Sequence, residues 1–288
     1  MSELSFMLGI PIRPKRKIIM MLKGKRIIVT GGASGIGRAT SILAAREGAS
    51  VAIADINQKM AQETADLVRE EGSEALVIEM DTSNKADTLR MVDETISAFG
   101  TIDGLVCGAI KLVPGKLEEL SEDDWDMVMD IGLKGYFLCA QAVGRVMLEN
   151  GNGSIVLISS VGGVQAYNGA GAYSVCKAGA IMLGQLIGVE WGGRGVRGNT
   201  VCPGQVRTPM TEAMFKDPEI AAGRASVVPM GRVGKPEEIA EACVFLLSDR
   251  ASYMNAGIMQ VDGGQAESKM MHTPGRNWGG IDMSYTEI

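Results

Sequence analysis

The sequence predicts an α/β fold in which one doubly wound parallel sheet of seven strands is covered by helices on both faces. From Lys25 onward, short runs rich in β-branched residues alternate with longer amphipathic runs, which is typical of βαβ units. A cluster of glycines directly follows the first of these short runs. Hydrophobic residues make up 46% of the chain and charged residues 22%, values that indicate an ordinary globular protein.

Each element has a local signature. The predicted strands are residues 26–30, 51–54, 75–79, 104–107, 154–159, 195–201 and 257–261. Helices are predicted from Asn57 to Gly72, from Asn84 to Gly100, and from a capping box at Ser121 to Glu149. Residues 171–193 are almost free of charge, so we expect this helix to be buried nearly all round, against the sheet and a partner subunit.

The βα rhythm defines one domain, residues 23–264, preceded by an N-terminal extension, residues 1–22. The tail, residues 265–288, loses the rhythm and is predicted to be a lid, a subunit contact or disordered; its His272, Trp278 and Tyr285 could cover a pocket. The net charge of −6 argues against nucleic acid as a partner. The first apolar stretch is far shorter than the roughly 20 residues of a membrane span, so no membrane association is expected.

The cysteine and histidine content restricts the chemistry. Five cysteines lie in apolar segments without a CxxC pair, so they read as reduced core thiols of a cytoplasmic protein. The chain has a single histidine, which excludes His-based triads and argues that no metal is bound. Catalysis therefore needs another acid/base.

The glycine cluster indicates a Rossmann-type dinucleotide site. Its sequence is Gly31-Gly32-Ala33-Ser34-Gly35-Ile36-Gly37, placed where a strand runs into a helix, so its backbone N–H groups can approach a pyrophosphate. Asp55 ends the second strand, where a carboxylate binds ribose hydroxyls and repels a 2′-phosphate; this predicts NAD rather than NADP. The alternative for Asp55 is a charge at a helix N-terminus, and Arg38 is the one positive charge that argues the other way.

Tyr173 and Lys177 are one helical turn apart, so their side chains lie on the same face of a helix. An ammonium beside a phenol favours the phenolate, and we expect it to lower the pKa of Tyr173. Ser160 ends a strand, where open α/β sheets bind ligands, and its hydroxyl can hold an alcohol or carbonyl oxygen.

Together these residues resemble the short-chain dehydrogenase/reductase family over residues 23–264. TGGASGIG resembles the TGxxxGxG motif, Asp81-Thr82 the adenine-contacting pair, and Ser160, Tyr173 and Lys177 the catalytic set. The resemblance implies a homotetramer or dimer and the following cofactor-binding residues: Gly31, Ser34, Gly35, Ile36, Gly37, Asp55, Ile56, Asp81, Thr82, Gly108, Ala109, Tyr173, Lys177, Pro203, Gly204, Val206 and Thr208.

Two segments depart from the family pattern. Cys107-Gly108-Ala109 stands where the family usually has Asn-Asn-Ala-Gly, and Gly132 stands where it usually has a catalytic Asn. In the family the main-chain carbonyl of that Asn is thought to hold a water of a proton relay. Glycine keeps the carbonyl and allows a local helix distortion, so our hypothesis is that the relay survives through Gly132.

The resulting expectation is an NAD-dependent alcohol dehydrogenase or ketone reductase. The alternatives are a catalytically impaired scaffold or regulator, and a lyase or epimerase that retains NAD. The predicted substrate-binding residues are Ser160, Gln165, Tyr167, Met210 and Met214, which favour a small, uncharged and fairly hydrophobic alcohol or ketone. Lys111 and Arg207 are positive charges that leave a charged substrate as the alternative.

Overall fold

Seven short strands, most of them rich in valine and isoleucine, pair side by side and all run parallel. The computed structural model, which describes residues 20–270, gives the strand order β3-β2-β1-β4-β5-β6-β7. The strands are β1 (Arg26–Thr30), β2 (Ser50–Asp55), β3 (Ala75–Glu79), β4 (Gly104–Cys107), β5 (Gly153–Ile158), β6 (Val196–Pro203) and β7 (Ile258–Val261). The predicted doubly wound sheet is confirmed, with strand ends shifted by one or two residues at most.

Helices connect the strands and cover both faces of the sheet. They are α1 (Gly35–Arg46), α2 (Gln58–Glu70), α3 (Lys85–Phe99), α4 (Glu122–Met129), α5 (Gly135–Asn150), the short α6 (Val161–Val164), α7 (Tyr173–Trp191), α8 (Pro218–Ser226) and α9 (Pro236–Leu247). The predicted N-caps form, because the side chains of Asn57, Asn84 and Ser121 each accept a backbone N–H of the first turn. Two separate buried clusters of apolar side chains pack against the sheet.

The strand order changes direction between β1 and β4. Thr30 of β1 pairs with Ala54 of β2 on one side and with Cys107 of β4 on the other. The connections from β1 and β4 therefore leave the sheet in opposite directions and open a crevice at the carboxyl ends of the strands. The glycine-rich turn and the segment after β4 both face this crevice.

The helix predicted from Ser121 to Glu149 is interrupted. Residues Asp130–Lys134 form a π-helical turn between α4 and α5, with Gly132 buried at its centre. A π turn adds one residue per turn and redirects the backbone groups around it, which is why such turns often occur at functional sites.

The charge-free segment forms α7, which is not buried all round within one chain. Met182 is 63% exposed and Val189 75% exposed, and Val175 and Leu186 are also open to solvent. One side of α7 packs on the sheet while these four residues lie on the side that faces away from it. The prediction of burial against the sheet is confirmed, and burial of the outer side against a partner subunit stays a prediction.

The predicted domain ends lie close to the limits of the described residues. Leu22 is fully buried in the core, and residues Gln265–Met270 form a 3-10 helix in which Ala266 is buried. Residues 1–19 and 271–288, including His272, Trp278 and Tyr285, lie outside the described residues. Among residues 20–270 no helix is long and apolar enough to cross a bilayer, and no three His, Cys, Asp or Glu side chains form a group suited to a metal ion.

Candidate active site

The glycine-rich turn after β1 makes a close approach that only glycines permit. Gly31 has a φ of +70°, and a Cβ at this position would lie 2.7 Å from the backbone nitrogen of Ala109. A Cβ at Gly37 would collide with the carbonyl of Gly31. Helix α1 begins at Gly35, and Ser34 before it makes no side-chain cap, so the first N–H groups of the helix are left for another acceptor. The turn is shaped to hold a pyrophosphate.

Asp55 lies at the carboxyl end of β2 beside this turn. Its carboxylate accepts hydrogen bonds from the backbone N–H of Ala33 at 3.0 Å and of Asn57 at 2.9 Å, which fix its orientation. Arg38, the positive charge that the sequence left open, turns away: its guanidinium donates to Ala33, Thr64 and Met60 and pairs with Glu63 at 3.2 Å. Within residues 20–270, Arg38 therefore does not neutralise the negative charge that Asp55 places beside the turn.

A cavity of about 1090 Å³ extends from this turn across the carboxyl ends of the strands. Every residue predicted to bind the cofactor lines it: Gly31, Ser34, Gly35, Ile36, Gly37, Asp55, Ile56, Asp81, Thr82, Gly108, Ala109, Tyr173, Lys177, Pro203, Gly204, Val206 and Thr208. Segments that are far apart in sequence are brought together because each follows a strand of the same sheet. The glycine cradle, the Asp55 carboxylate and the open helix N-terminus fit a dinucleotide.

Three of the four predicted catalytic residues, Ser160, Tyr173 and Lys177, line the same cavity. Tyr173 opens α7, Lys177 lies one turn further on, and Ser160 caps the short α6, accepting the N–H of Gly162 at 3.0 Å. Burial raises the pKa of Tyr173 to about 12, although a hydrogen bond with Ser160 acts in the opposite direction. The expected lowering of this pKa by Lys177 is therefore absent from the structure, since burial dominates.

Lys177 lines the cavity but is almost fully buried. It is 1% exposed, and its ammonium donates to the carbonyl oxygen of Ile158 at 2.7 Å and to the phenol oxygen of Tyr136 at 3.1 Å. The ammonium is 5.8 Å from the centre of the Tyr173 ring. Burial lowers the pKa of Lys177 to about 8. Tyr136 was not predicted as a site residue, because a single tyrosine in a helix carries no sequence signal.

At both positions where the sequence departs from the family pattern, neighbouring groups contact the backbone or occupy the adjacent space. Gly132 does not line the cavity; a Cβ there would collide with Cδ1 of Ile110 and lie 2.6 Å from Sγ of Cys176. These two side chains thus occupy the space beside the glycine. After β4, the N–H of Gly108 donates to the carbonyl oxygen of Thr30 at 3.1 Å and to its hydroxyl at 3.3 Å, which anchors a segment that lacks asparagine side chains.

The predicted substrate-binding residues are only partly brought together. Ser160, Tyr167, Met210 and Met214 line the cavity. Gln165 does not, because its side-chain amide donates instead to the carbonyl oxygen of Ala266.

Lys111 and Arg207 were the two cations that could have bound a charged substrate. Lys111 lines the cavity and is exposed. Arg207 lies outside the cavity and forms a two-point ion pair with Glu212. Arg224 of α8 also lines the cavity, together with Gln205, and was not predicted from the sequence. A basic residue that follows the predicted substrate-binding residues Met210 and Met214 within one short segment was the signal that could have identified Arg224.

Comparisons with known proteins agree with this geometry. Residues 31–266 match the family model described as enoyl-(acyl carrier protein) reductase. The chain is 39% identical over 249 residues to the 3-oxoacyl-[acyl-carrier-protein] reductase of Thermotoga maritima, which covers 85% of this chain and 99% of the relative. The crystal structure of levodione reductase superposes with a TM-score of 0.83 at 34% identity, covering 85% of this chain and 99% of that one.

A putative 2-deoxy-D-gluconate 3-dehydrogenase from Agrobacterium tumefaciens, solved with bound NADP, is also similar. It gives a TM-score of 0.80 at 33% identity and covers 87% of this chain and all of its own. The chain belongs to the short-chain dehydrogenase/reductases, a family of oxidoreductases that use a nicotinamide cofactor.

Proposed function

We propose that the chain is an NAD-dependent oxidoreductase that interconverts a secondary alcohol and a ketone, with Tyr173 as general acid/base. The observation that carries the proposal is that Ser160, Tyr173 and Lys177 meet in the cavity that also holds the glycine cradle and Asp55. Hydride chemistry and proton transfer therefore have adjacent sites in one cavity.

The division of labour follows from the geometry. When bound, the nicotinamide ring supplies or accepts the hydride. The Ser160 hydroxyl orients the substrate oxygen, and Tyr173, protonated at neutral pH because its pKa is raised, donates its proton to that oxygen during reduction. In oxidation the Tyr173 phenolate receives the proton of the alcohol and becomes the phenol, and the positive charge of Lys177 stabilises that phenolate. We place the nicotinamide amide at Pro203, Gly204, Val206 and Thr208.

Asp55 is the ground for proposing NAD rather than NADP. The Asp55 carboxylate is held by two backbone N–H groups at a position where its negative charge would repel a 2′-phosphate. Arg38, which could attract such a phosphate, is paired with Glu63. One relative was solved with NADP bound, so NADP is the alternative to be tested. Initial rates with NADH and NADPH decide between them.

The first experiment compares the enzyme with Tyr173→Phe on a panel of cyclic, steroidal and aromatic alcohols and ketones. We expect NAD-linked turnover that falls by about 10²- to 10⁴-fold in the variant, while NADH binding is retained. Turnover that survives the substitution would contradict the role of Tyr173. NADH binding without any turnover would favour the scaffold, and tightly retained NAD without net NADH production would favour the lyase or epimerase.

A homotetramer or dimer in the cytoplasm completes the proposal. The outer side of α7 exposes Val175, Met182, Leu186 and Val189, an apolar surface that a second copy of the same chain would cover. The five buried, unpaired cysteines suit a reducing compartment. Light scattering of the enzyme and of Val189→Glu measures the assembly, and we expect the variant to be smaller.

A further inference from the structure

Arg224 is a half-buried cation that faces the cavity with few partners. A guanidinium has five N–H donors. Among the described residues Arg224 makes one hydrogen bond, from Nη1 to the side-chain oxygen of Gln205 at 2.7 Å, and no carboxylate pairs with it. Its Nε is buried and has no acceptor. A buried donor without an acceptor is costly, so this group calls for an acceptor that the described residues do not supply.

The surroundings place Arg224 at the substrate end of the cavity. The Tyr167 ring packs against Gly162, whose N–H is held by the catalytic Ser160. Hydrogen bonds connect Tyr167 to Arg224: the Gln265 side-chain amide donates to the Tyr167 hydroxyl at 3.4 Å and accepts the backbone N–H of Gln205 at 3.0 Å. The side-chain oxygen of Gln205 in turn accepts from Arg224 at 2.7 Å. The order from the reacting centre outward is therefore Ser160, Tyr167 and then Arg224.

Arg207 provides an internal contrast. The guanidinium carbons of Arg207 and Arg224 both lie 5.8 Å from the centre of the Phe215 ring. Arg207 is exposed and fully paired with Glu212, at 2.9 and 2.6 Å. An arginine near Phe215 can therefore have a carboxylate partner, as Arg207 does. The ring does not explain why Arg224 has none among the described residues.

We propose that Arg224 binds a carboxylate of the substrate at the end remote from the reacting carbon. The inference rests on the proposed function and changes its substrate class from an uncharged alcohol or ketone to a hydroxy acid or keto acid with an apolar body. The planar guanidinium offers the two-point donor geometry that a carboxylate accepts, and Met210 and Met214 line the same cavity as Arg224.

The test uses ketones of increasing chain length that carry a terminal carboxylate, each paired with its methyl ester. We expect the enzyme to prefer the acids, and Arg224→Gln to lower kcat/KM for the acids by at least about tenfold while the esters change by less than about threefold. Arg224→Lys, which keeps the charge but loses the fork, should fall between the two. Arg207→Gln is the matched control and should leave the acid-to-ester ratio unchanged.

Stabilisation of the cofactor-loaded enzyme by non-reacting carboxylates provides a readout that is independent of turnover. We expect a rise in Tm that Arg224→Gln abolishes and Arg207→Gln retains. A preference for esters, an equal loss for acids and esters in Arg224→Gln, or a Tm shift that survives this substitution would overturn the proposal. If no ketone is turned over but the Tm shift depends on Arg224, the proposed reaction fails and the anion site stands.

Discussion

The ammonium of Lys177 lies 3.1 Å from the phenol oxygen of Tyr136, in a pocket closed to solvent. The same phenol donates to the carbonyl oxygen of Ile158 at 3.1 Å, and that carbonyl also accepts from Lys177 at 2.7 Å. Tyr136 follows Gly132 by one helical turn, so a residue near the missing asparagine holds the lysine directly. We regard Tyr136 as a positioning residue, because it acts through Lys177.

Tyr136→Phe removes an acceptor from the ammonium and should lower the pKa of Lys177 from about 8 by about one unit, the worth of one hydrogen bond to a charged group. The limb of the pH profile of kcat that reports Lys177 should move to lower pH by the same amount. Tyr253→Phe, at a fully exposed tyrosine, is the matched control and should leave the profile in place. An unmoved profile in Tyr136→Phe would mean that Ile158 alone holds the lysine.

Gly132→Ala separates two opposing effects on stability. Helix propensity alone would raise the free energy of unfolding by about 1 kcal/mol. The added Cβ would, however, lie 2.6 Å from Sγ of Cys176 and collide with Ile110, so we expect a net loss of about 1–3 kcal/mol in urea unfolding.

A double-mutant cycle with Cys176→Ala tests the steric cause. Truncating the cysteine frees space, so the double variant should recover part of the loss and show a coupling of about 0.5–3 kcal/mol. Additive effects would argue that the glycine is needed for the π turn itself. Gly132→Asn, which restores the residue usual in the family, should gain activity by orders of magnitude only if the relay through Gly132 is broken.

The cofactor preference should depend on one carboxylate. Asp55→Asn keeps an acceptor for the N–H of Ala33 but removes the charge that repels a 2′-phosphate. We expect the ratio of kcat/KM for NADPH over NADH to rise by about tenfold or more, mainly through a lower KM for NADPH. Asp66→Asn is the control, because it removes a carboxylate of α2 that pairs with Arg69 and does not line the cavity. An unchanged ratio in Asp55→Asn would remove the basis for proposing NAD.

The sequence predicts what is locally encoded. Strand periodicity, the caps at Asn57 and Ser121, and the glycine motif each depend on neighbouring residues, and the sheet and the cofactor residues follow from them. Once strand order is given, the carboxyl ends of the strands must share one edge. All the predicted cofactor residues therefore line one cavity.

The site features that the sequence did not predict correctly all depend on tertiary contacts. Gln165 turns to Ala266, Tyr136 reaches Lys177 from another helix, and Arg224 enters the cavity from α8. The raised pKa of Tyr173 reflects burial by several segments, which outweighs the spacing to Lys177 on which the expectation relied. Such effects are set by side-chain direction and solvent access, which no spacing along the chain reports.

The buried thiols should make the fold sensitive to alkali. Burial raises the pKa of Cys139 and Cys243 from 9.0 to about 12, while in the unfolded chain these thiols ionise near pH 9. The unfolded state then releases protons that the folded state retains, so each thiol's contribution is complete below pH 9 and is lost as the pH rises towards 12. The free energy of unfolding should fall by up to about 1.4 kcal/mol per pH unit for each thiol.

Cys243→Ala isolates one of these thiols. The substitution costs stability at neutral pH because it shortens a core side chain, but the gap from the parent should shrink as the pH rises from 9 to about 11. Lys177, whose pKa is lowered, changes stability in the opposite sense between about pH 8 and 10.5, but it is present in both proteins and cancels in the difference. Urea unfolding at several pH values measures the gap. Parallel curves would mean that Cys243 ionises no later in the fold than in the unfolded chain.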